Sequence, residues 1–161
     1  MEFVFDGRTV LMDDEDYAQI FLRHGGWWLW QIGRNSYVRR QVMLNGKRRN
    51  VSLHRLVMGA TPGQMVDHIN GNGLDNRRQN LRFVTSAQNN RNRRVKVGST
   101  SRFKGVSHRR DRGTWRAMIT VDGRQISLGC FSDEVEAAFA YDTASLQHHG
   151  DYGSRNFLPL A

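Results

Sequence analysis

The segment from Val66 to Asn89 carries the residues whose types and spacing best suit catalysis. It places Asp67 beside His68 and follows them with carboxamide side chains and basic residues. The imidazole of His68 can accept a proton from water near neutral pH. The side-chain oxygens of Asp67 and Asn89 suit a hard divalent cation, Mg²⁺ or Mn²⁺, better than Zn²⁺. Together these groups could activate water against a phosphate ester.

Two short strands and a helix are predicted to position these side chains. The strands run from Met65 to Ile69 and from Leu81 to Thr85, on either side of a polar loop. A helix is predicted to begin at Ser86 and to carry the last carboxamide on its first or second turn. Neighbours on a strand point to opposite faces, so Asp67 and His68 serve one site only where the strand ends or twists.

A plain hairpin is the alternative explanation of the segment, because the Asn-Gly pair that follows the strand favours a tight turn. Five blocks of sequence in one order argue for the catalytic explanation. They are Leu53–Val57, Val66–Gly71, Leu74–Arg77, Asn80–Arg82 and Thr85–Asn89. This set resembles the HNH endonucleases, in the variant found in phage homing endonucleases. The spacing also fits, since Asn80 follows His68 by 12 residues and Asn89 follows Asn80 by nine.

The resemblance implies a ββα-metal fold and a role for each of four residues. It implies that Asp67 and Asn89 bind one divalent metal, foremost Mg²⁺ with Mn²⁺ as the alternative, and that His68 is the general base. It also implies that Asn80 braces the loop and orients that base. The last position is an asparagine instead of the histidine that names the family, which argues against tight zinc binding. No organic cofactor is implied.

The strong positive charge of the chain favours a polyanionic partner. Its 161 residues have a formal net charge of +9, and residues 91–116 hold ten Lys or Arg against one acid. Double-stranded DNA is therefore the predicted partner. An anionic membrane surface is the weaker alternative, because the sequence has no basic amphipathic helix and no long apolar run. Candidate contacts to the DNA backbone are His54, Arg55, Arg77, Arg91, Arg93 and Arg94. For His54, a role in helix packing or hydrogen bonding is an equal alternative.

The last third of the chain is predicted to form three strands followed by a helix. The strands are predicted over Gly105–Arg109, Trp115–Val121 and Arg124–Gly129, and Ser132 is the expected helix cap. Cys130 is the only cysteine of the chain, so an internal disulfide is excluded. We expect Cys130 to be a small buried residue of the sheet.

Several short motifs in this region resemble the APETALA2/ethylene-response-factor DNA-binding domain. They include Phe103–Val106, Trp115–Ala117, Leu128–Phe131 and Asn156-Phe157. The resemblance implies that the sheet lies in the major groove of DNA. By position, the implied DNA contacts are Lys104, Arg109, Arg116, Thr120 and Gln125, with Arg112 and Arg124 nearby. The plant target preference does not transfer, because Ser107 and Ser127 stand where that family often has Arg and Trp.

The predicted fold class is α+β, with an N-terminal ββα-metal nuclease domain and a small three-stranded antiparallel sheet packed on one helix. The nuclease domain is expected over residues 1–94, as a scaffold of residues 1–52 and a core of residues 53–94. A basic Gly-Ser linker is expected over residues 95–101, and the DNA-binding domain over residues 102–161.

The predicted function is that of a homing-type DNA endonuclease, which recognises a sequence and hydrolyses phosphodiester bonds with one divalent metal and a histidine base. The alternative is a non-catalytic DNA-binding regulator whose HNH fold is a relic. No protein partner and no membrane association are implied. The N-terminus lacks the pattern of a signal peptide, so we expect a cytoplasmic, intracellular protein.

Overall fold

Ten strands and four α-helices form within residues 1–33, 35–93, 95 and 98–157, the part of the chain that the computed structural model describes. The strands are β1 (Glu2–Phe5), β2 (Arg8–Leu11), β3 (Trp27–Ile32), β4 (Asn35–Leu44), β5 (Lys47–Ser52), β6 (Met65–His68), β7 (Leu81–Val84), β8 (Val106–Arg109), β9 (Thr114–Val121) and β10 (Arg124–Phe131). The helices are α1 (Asp14–Asp16), which continues as a π-helix, α2 (Leu53–Val57), α3 (Ser86–Arg91) and α4 (Glu134–His149). The predicted mixture of helices and small antiparallel sheets is confirmed.

The chain divides into two compact units, Met1–Ser86 and Ala87–Ala161. In the first unit, β1 pairs with β2, β6 pairs with β7, and β3, β4 and β5 form a three-stranded sheet in that order, all antiparallel. The turn between β4 and β5 uses Asn45 at φ 50° and Gly46 at φ 71°, the left-handed backbone that an Asn-Gly hairpin requires. These three sheets supply the scaffold of the candidate site.

The apolar core of the first unit binds the sheets to the segment that carries the candidate catalytic residues. Its buried members come from strands, a helix and the loop between β6 and β7: Val10, Met12, Val38, Leu53, Val57, Leu74 and Leu81. Leu74 also forms a backbone hydrogen bond with β2: its carbonyl accepts from the amide of Leu11 at 2.9 Å. The amide of Asn76 donates in turn to the carbonyl of Leu11 at 2.7 Å. The β6–β7 loop is therefore part of the core.

In the second unit, α4 packs on one face of the antiparallel sheet β10-β9-β8. The helix contributes Ala137, Ala138, Tyr141 and Ala144 to this contact, and the sheet contributes Val106, Ala117 and Ile119. Small side chains on the helix allow it to approach the sheet closely. At Gly105, with φ 74°, an added Cβ would lie 1.9 Å from the ring of Tyr141, so this position requires glycine.

Two sequence predictions in this unit are wrong. Cys130 is exposed instead of buried. It pairs with Arg116 in the register of β9 and β10, and therefore lies on the face away from α4. The cap of α4 is Asp133 instead of Ser132, because the Asp133 carboxylate accepts hydrogen bonds from the amides of Val135 and Glu136 at 2.7 and 3.0 Å.

Helix α3 groups with the second unit, so the compact units divide earlier than the predicted domain boundary at residue 94. Its last carbonyl, on Arg91, accepts hydrogen bonds from the Lys104 ammonium and from the Ser154 amide. The guanidinium of Arg91 also lies 3.3 Å from the carboxylate of Asp122. These contacts explain the division. No helix in the described residues is long and apolar enough to cross a membrane.

Candidate active site and sheet surface

His68 is the last residue of β6, and its side chain is buried with only 5% exposure. The predicted condition for Asp67 and His68 to serve one site, a strand that ends at this point, is thus present. Asp67 pairs with Arg82 across the hairpin, and the Arg82 guanidinium lies 3.3 Å from its carboxylate. The Asp67 side chain is 11% exposed. A half-buried carboxylate and a buried imidazole are therefore consecutive residues at the end of a short hairpin.

Asn80 braces the loop that follows His68. Its side-chain oxygen accepts from the amide of Asn70 at 3.0 Å, and its amide group donates to the side-chain oxygen of Asn70 at 3.1 Å. The same amide group donates to the carbonyl of Asp75 at 2.8 Å. The backbone carbonyl of Asn80 accepts from Ile69 at 2.8 Å. One buried carboxamide thereby fixes both ends of the loop.

Asp75 is the second anchor of the loop, with a side chain that is 1% exposed. The Arg77 guanidinium binds both of its oxygens, at 2.8 and 2.7 Å, and Asn70 donates to it at 2.9 Å. The hydrogen bonds from Arg77 hold the pKa of the Asp75 carboxyl below its usual value. Arg78 forms a similar pair with Asp16, at 2.8 and 2.6 Å, which joins the loop to α1. The loop is thus held by charge-assisted hydrogen bonds at both ends.

Two imidazoles and a tyrosine ring pack together at this site, with His68 buried and His54 and Tyr37 half-buried. The ring centroids of His54 and His68 are 4.7 Å apart, with the planes at 71°. The Tyr37 ring lies 5.9 Å from each of them. Sequence reasoning missed Tyr37, because it lies on β4, far along the chain from the motif, and no local pattern distinguishes it. It left the role of His54 open, and the structure places this side chain against His68.

Burial keeps both histidines in their neutral form. It is the main cause that lowers the pKa of His54 to about 3, followed by the charges of His68 and Arg55. Burial also lowers the pKa of His68, while Asn76 and then the charge of Asp67 oppose this shift. A neutral imidazole is the form that can accept a proton from water. Asn76, wholly buried, lies beside the base; it belongs to a motif block, but its role was not predicted from the sequence.

The two predicted metal ligands fall in different compact units. Asp67 lies in the first unit, and Asn89 lies half-buried on α3, in the second. The chemistry of this donor set, one carboxylate and one carboxamide, fits Mg²⁺ or Mn²⁺. Among the residues that the structure describes, no group of three or more His, Cys, Asp and Glu side chains is placed to hold a metal. The assignment of Asp67 and Asn89 to one metal stays a prediction.

The arginines predicted to contact the DNA backbone differ in how many partners their guanidinium groups have within the protein. Arg55 donates to the carbonyls of Gln64 and Thr61, so it braces the turn after α2. Arg77 and Arg91 are paired with acids, as described above, and Arg93 is exposed. Arg94 lies outside the described residues. These five arginines stay predicted contacts.

Four of the predicted DNA contacts of the second unit share the sheet face opposite α4. The register pairs Gln125 with Thr120, and the alternation along β8 and β9 puts Arg109 and Arg116 on the same face. Arg124 pairs with Val121, in phase with the helix-facing residues. Arg109 is held by Asp111 at 2.7 Å. A polar and basic face therefore covers the side of the sheet that the helix leaves open, with Thr120 and Gln125 exposed and Arg109 and Arg116 half-buried.

Two other predicted contacts lie outside the strands. Lys104 precedes β8, and its ammonium donates to Ser154 at 3.2 Å and to the Arg91 carbonyl. Burial lowers the pKa of Lys104 to about 8. Arg112 is exposed in the turn between β8 and β9.

Comparison with known proteins supports a nuclease domain in the middle of the chain. Residues 51–91 match the HNH endonuclease family. The chain is similar to Protein 3.8 of Escherichia phage T7, with 34% identity over 79 residues, or 48% of this chain and 65% of that protein. It is also similar to an AP2/ERF and B3 domain-containing transcription factor of Arabidopsis thaliana, with 45% identity over 51 residues, or 32% of this chain and 14% of that protein. The chain thus spans less than two thirds of each relative.

Replacement of Asn80 by alanine should destabilise the first unit by about 2–4 kcal/mol, because it removes three hydrogen bonds and leaves a buried carbonyl without its donor. Asn72→Ala is the matched control in the same loop, since Asn72 is exposed and its side chain accepts a hydrogen bond from the Leu74 amide. It should cost less than about 1 kcal/mol. Urea unfolding of the two variants measures the difference, and equal losses would contradict the bracing role of Asn80.

Proposed function

We propose that the protein is a metal-dependent DNA endonuclease that hydrolyses phosphodiester bonds at a recognised sequence, as homing endonucleases do. The observation that carries this proposal is the buried imidazole of His68, whose pKa is lowered by burial and which directly precedes the loop that Asn80 braces. The match of residues 51–91 to HNH endonucleases supports it. A relic domain would have no need of this combination of a buried base and a retained carboxylate.

In the proposed mechanism, His68 accepts a proton from a water molecule as its oxygen attacks phosphorus. The bond from phosphorus to the 3′ oxygen breaks, which leaves a 5′-phosphate and a 3′-hydroxyl. Asn80 maintains the loop geometry that orients the base. Asp67 and Asn89 would hold one divalent ion, for which Mg²⁺ is the leading candidate, in a ββα-metal arrangement of β6, β7 and α3. When bound, such an ion neutralises charge on the phosphate oxygens and on the departing oxygen.

The second unit is proposed to supply recognition of duplex DNA. Its sheet face opposite α4 carries Arg109, Arg116, Thr120 and Gln125, and no part of α4 packs on this face. A sheet of this kind can enter the major groove, where arginine and glutamine side chains contact base edges and phosphates. The similarity of this chain to a plant protein with an AP2/ERF domain supports the proposal. A nuclease core that cuts any phosphodiester would thereby gain a choice of site.

His68→Ala should lower the rate of plasmid nicking in Mg²⁺ by about 10²- to 10⁴-fold, because the variant lacks the general base. EDTA should abolish nicking by the unaltered protein. His24→Ala is the matched control, since His24 is exposed and far along the chain from the motif.

Asn89→Ala should raise the Mg²⁺ concentration needed for cleavage, whereas the exposed neighbour variant Asn90→Ala should not. If the unaltered protein binds DNA but does not cut it in the presence of any divalent metal, the function is that of the non-catalytic regulator.

Arg116→Ala should weaken DNA binding and reduce the slope of log K against log salt by about one, because one phosphate contact is lost. The conservative variant Arg116→Lys keeps the charge and should keep the slope. Equilibrium binding measured between low and moderate salt compares the two. An unchanged slope in Arg116→Ala would remove this residue from the interface.

A further inference from the structure

Arg39 lies on the face of the three-stranded sheet that also carries Tyr37. Residues alternate along β4, and the intervening Val38 is buried in the core with 1% exposure. Arg40 shares the core-facing side with Val38, and its guanidinium lies over the ring of Trp27. The Tyr37 ring contacts both His54 and His68, and Arg39 is the next residue after Tyr37 on the same face of β4. The charge of Arg39 contributes, after burial and the charges of His68 and Arg55, to the lowered pKa of His54.

The guanidinium of Arg39 is held in place by neutral groups. Its central carbon lies 4.0 Å from the centroid of the Trp30 ring, a cation–π contact. Its Nε donates to the hydroxyl of Ser52 at 3.2 Å. Trp30 is opposite Tyr37 in the register, and Ser52 is opposite Arg39. The stacking and the single hydrogen bond orient the plane of the guanidinium and leave its two terminal nitrogens for another acceptor.

Four other arginines of the first unit already have acceptors. Ion pairs join Arg77 to Asp75, Arg78 to Asp16 and Arg82 to Asp67. Arg55 donates hydrogen bonds to backbone carbonyls. In the part of the chain that the structure describes, no carboxylate lies within ion-pair distance of Arg39. Residues 17–66 contain eight Lys or Arg and no Asp or Glu. The described residues therefore supply no carboxylate to Arg39.

We propose that Arg39 binds the phosphate group that is cut and places it against His68. The inference rests on the proposed endonuclease function. A guanidinium presents parallel N–H groups that match two oxygens of a phosphate. A group fixed in advance by Trp30 and Ser52 loses little conformational entropy when it binds. Arg39 thus positions the substrate, and Trp30 and Ser52 set the direction from which the phosphate enters.

The test compares Arg39→Gln with Arg40→Gln, two neighbouring arginines on opposite faces of the same strand. Cleavage of a DNA duplex that carries the preferred site should lose about 10- to 100-fold in kcat/KM in Arg39→Gln. Arg40→Gln should stay within about twofold of the unaltered protein. Arg39→Lys keeps the charge but not the fork, and should show an intermediate loss. It also keeps the comparison available should Arg39→Gln fail to fold, which thermal unfolding reveals.

Binding to a modified duplex identifies the phosphate. In the His68→Ala background, a methylphosphonate at the cleaved position removes the negative charge of that phosphate. The weakening of binding by Arg39→Gln should then disappear, whereas it should persist with a methylphosphonate several nucleotides away. Persistence at the cleaved position, or equal cleavage losses in Arg39→Gln and Arg40→Gln, would overturn the role of Arg39 while leaving the endonuclease function intact. If the unaltered protein cuts no DNA with any divalent metal, both proposals fail.

Discussion

The first unit depends on a polar loop whose middle residues, 73–76, are buried beside its apolar core. Asp75 and Asn76 are 1% and 0% exposed, and a buried carboxylate without partners would cost several kcal/mol. The structure meets this constraint with a small number of strong contacts, in which Arg77 and Asn70 bind Asp75 while Asn80 binds the two ends of the loop. In this conformation the loop satisfies these buried groups. The position of His68, at the start of the loop, follows from that conformation.

The same burial sets the chemistry of the imidazole. A histidine packed against another histidine and a tyrosine is held in the neutral form, which is the form a general base needs. The charges near it are neutralised within the protein at Asp75 and Asp67, whose partners are arginines. Arg39 is the exception, since its contacts are an aromatic ring and a hydroxyl. The proposed phosphate would therefore meet a guanidinium that has no carboxylate partner among the described residues.

The parts of this arrangement that local sequence could predict are those made by neighbours along the chain. The hairpin of β6 and β7 follows from two short apolar segments on either side of an Asn-rich loop, and residues 51–91 match the HNH family as expected. The bond from Asn80 to Asn70 joins residues that the predicted hairpin already brings together. Tyr37 could not be predicted, because its contacts with His54 and His68 arise from the packing of distant strands.

The two wrong predictions about the second unit also have local causes. Cys130 follows an irregularity of β10 between Ser127 and Gly129, which shifts the register and turns its side chain to the exposed face. Ser132 and Asp133 are both good helix caps, and the sequence alone does not decide which of them precedes the first helical residue. The grouping of α3 with the second unit depends on contacts with Lys104, Asp122 and Ser154, all of them distant in sequence.

Native-state hydrogen exchange of the Ile69 and Asn70 amides tests most directly whether the buried loop fixes the position of His68. These amides donate to the backbone carbonyl and to the side-chain oxygen of Asn80. We predict that they exchange only when the first unit unfolds, with the same free energy of opening as the slowest amides of the β3-β4-β5 sheet. Exchange as fast as that of the exposed turn at Asn45 and Gly46 would contradict the account, because the loop would then open without unfolding.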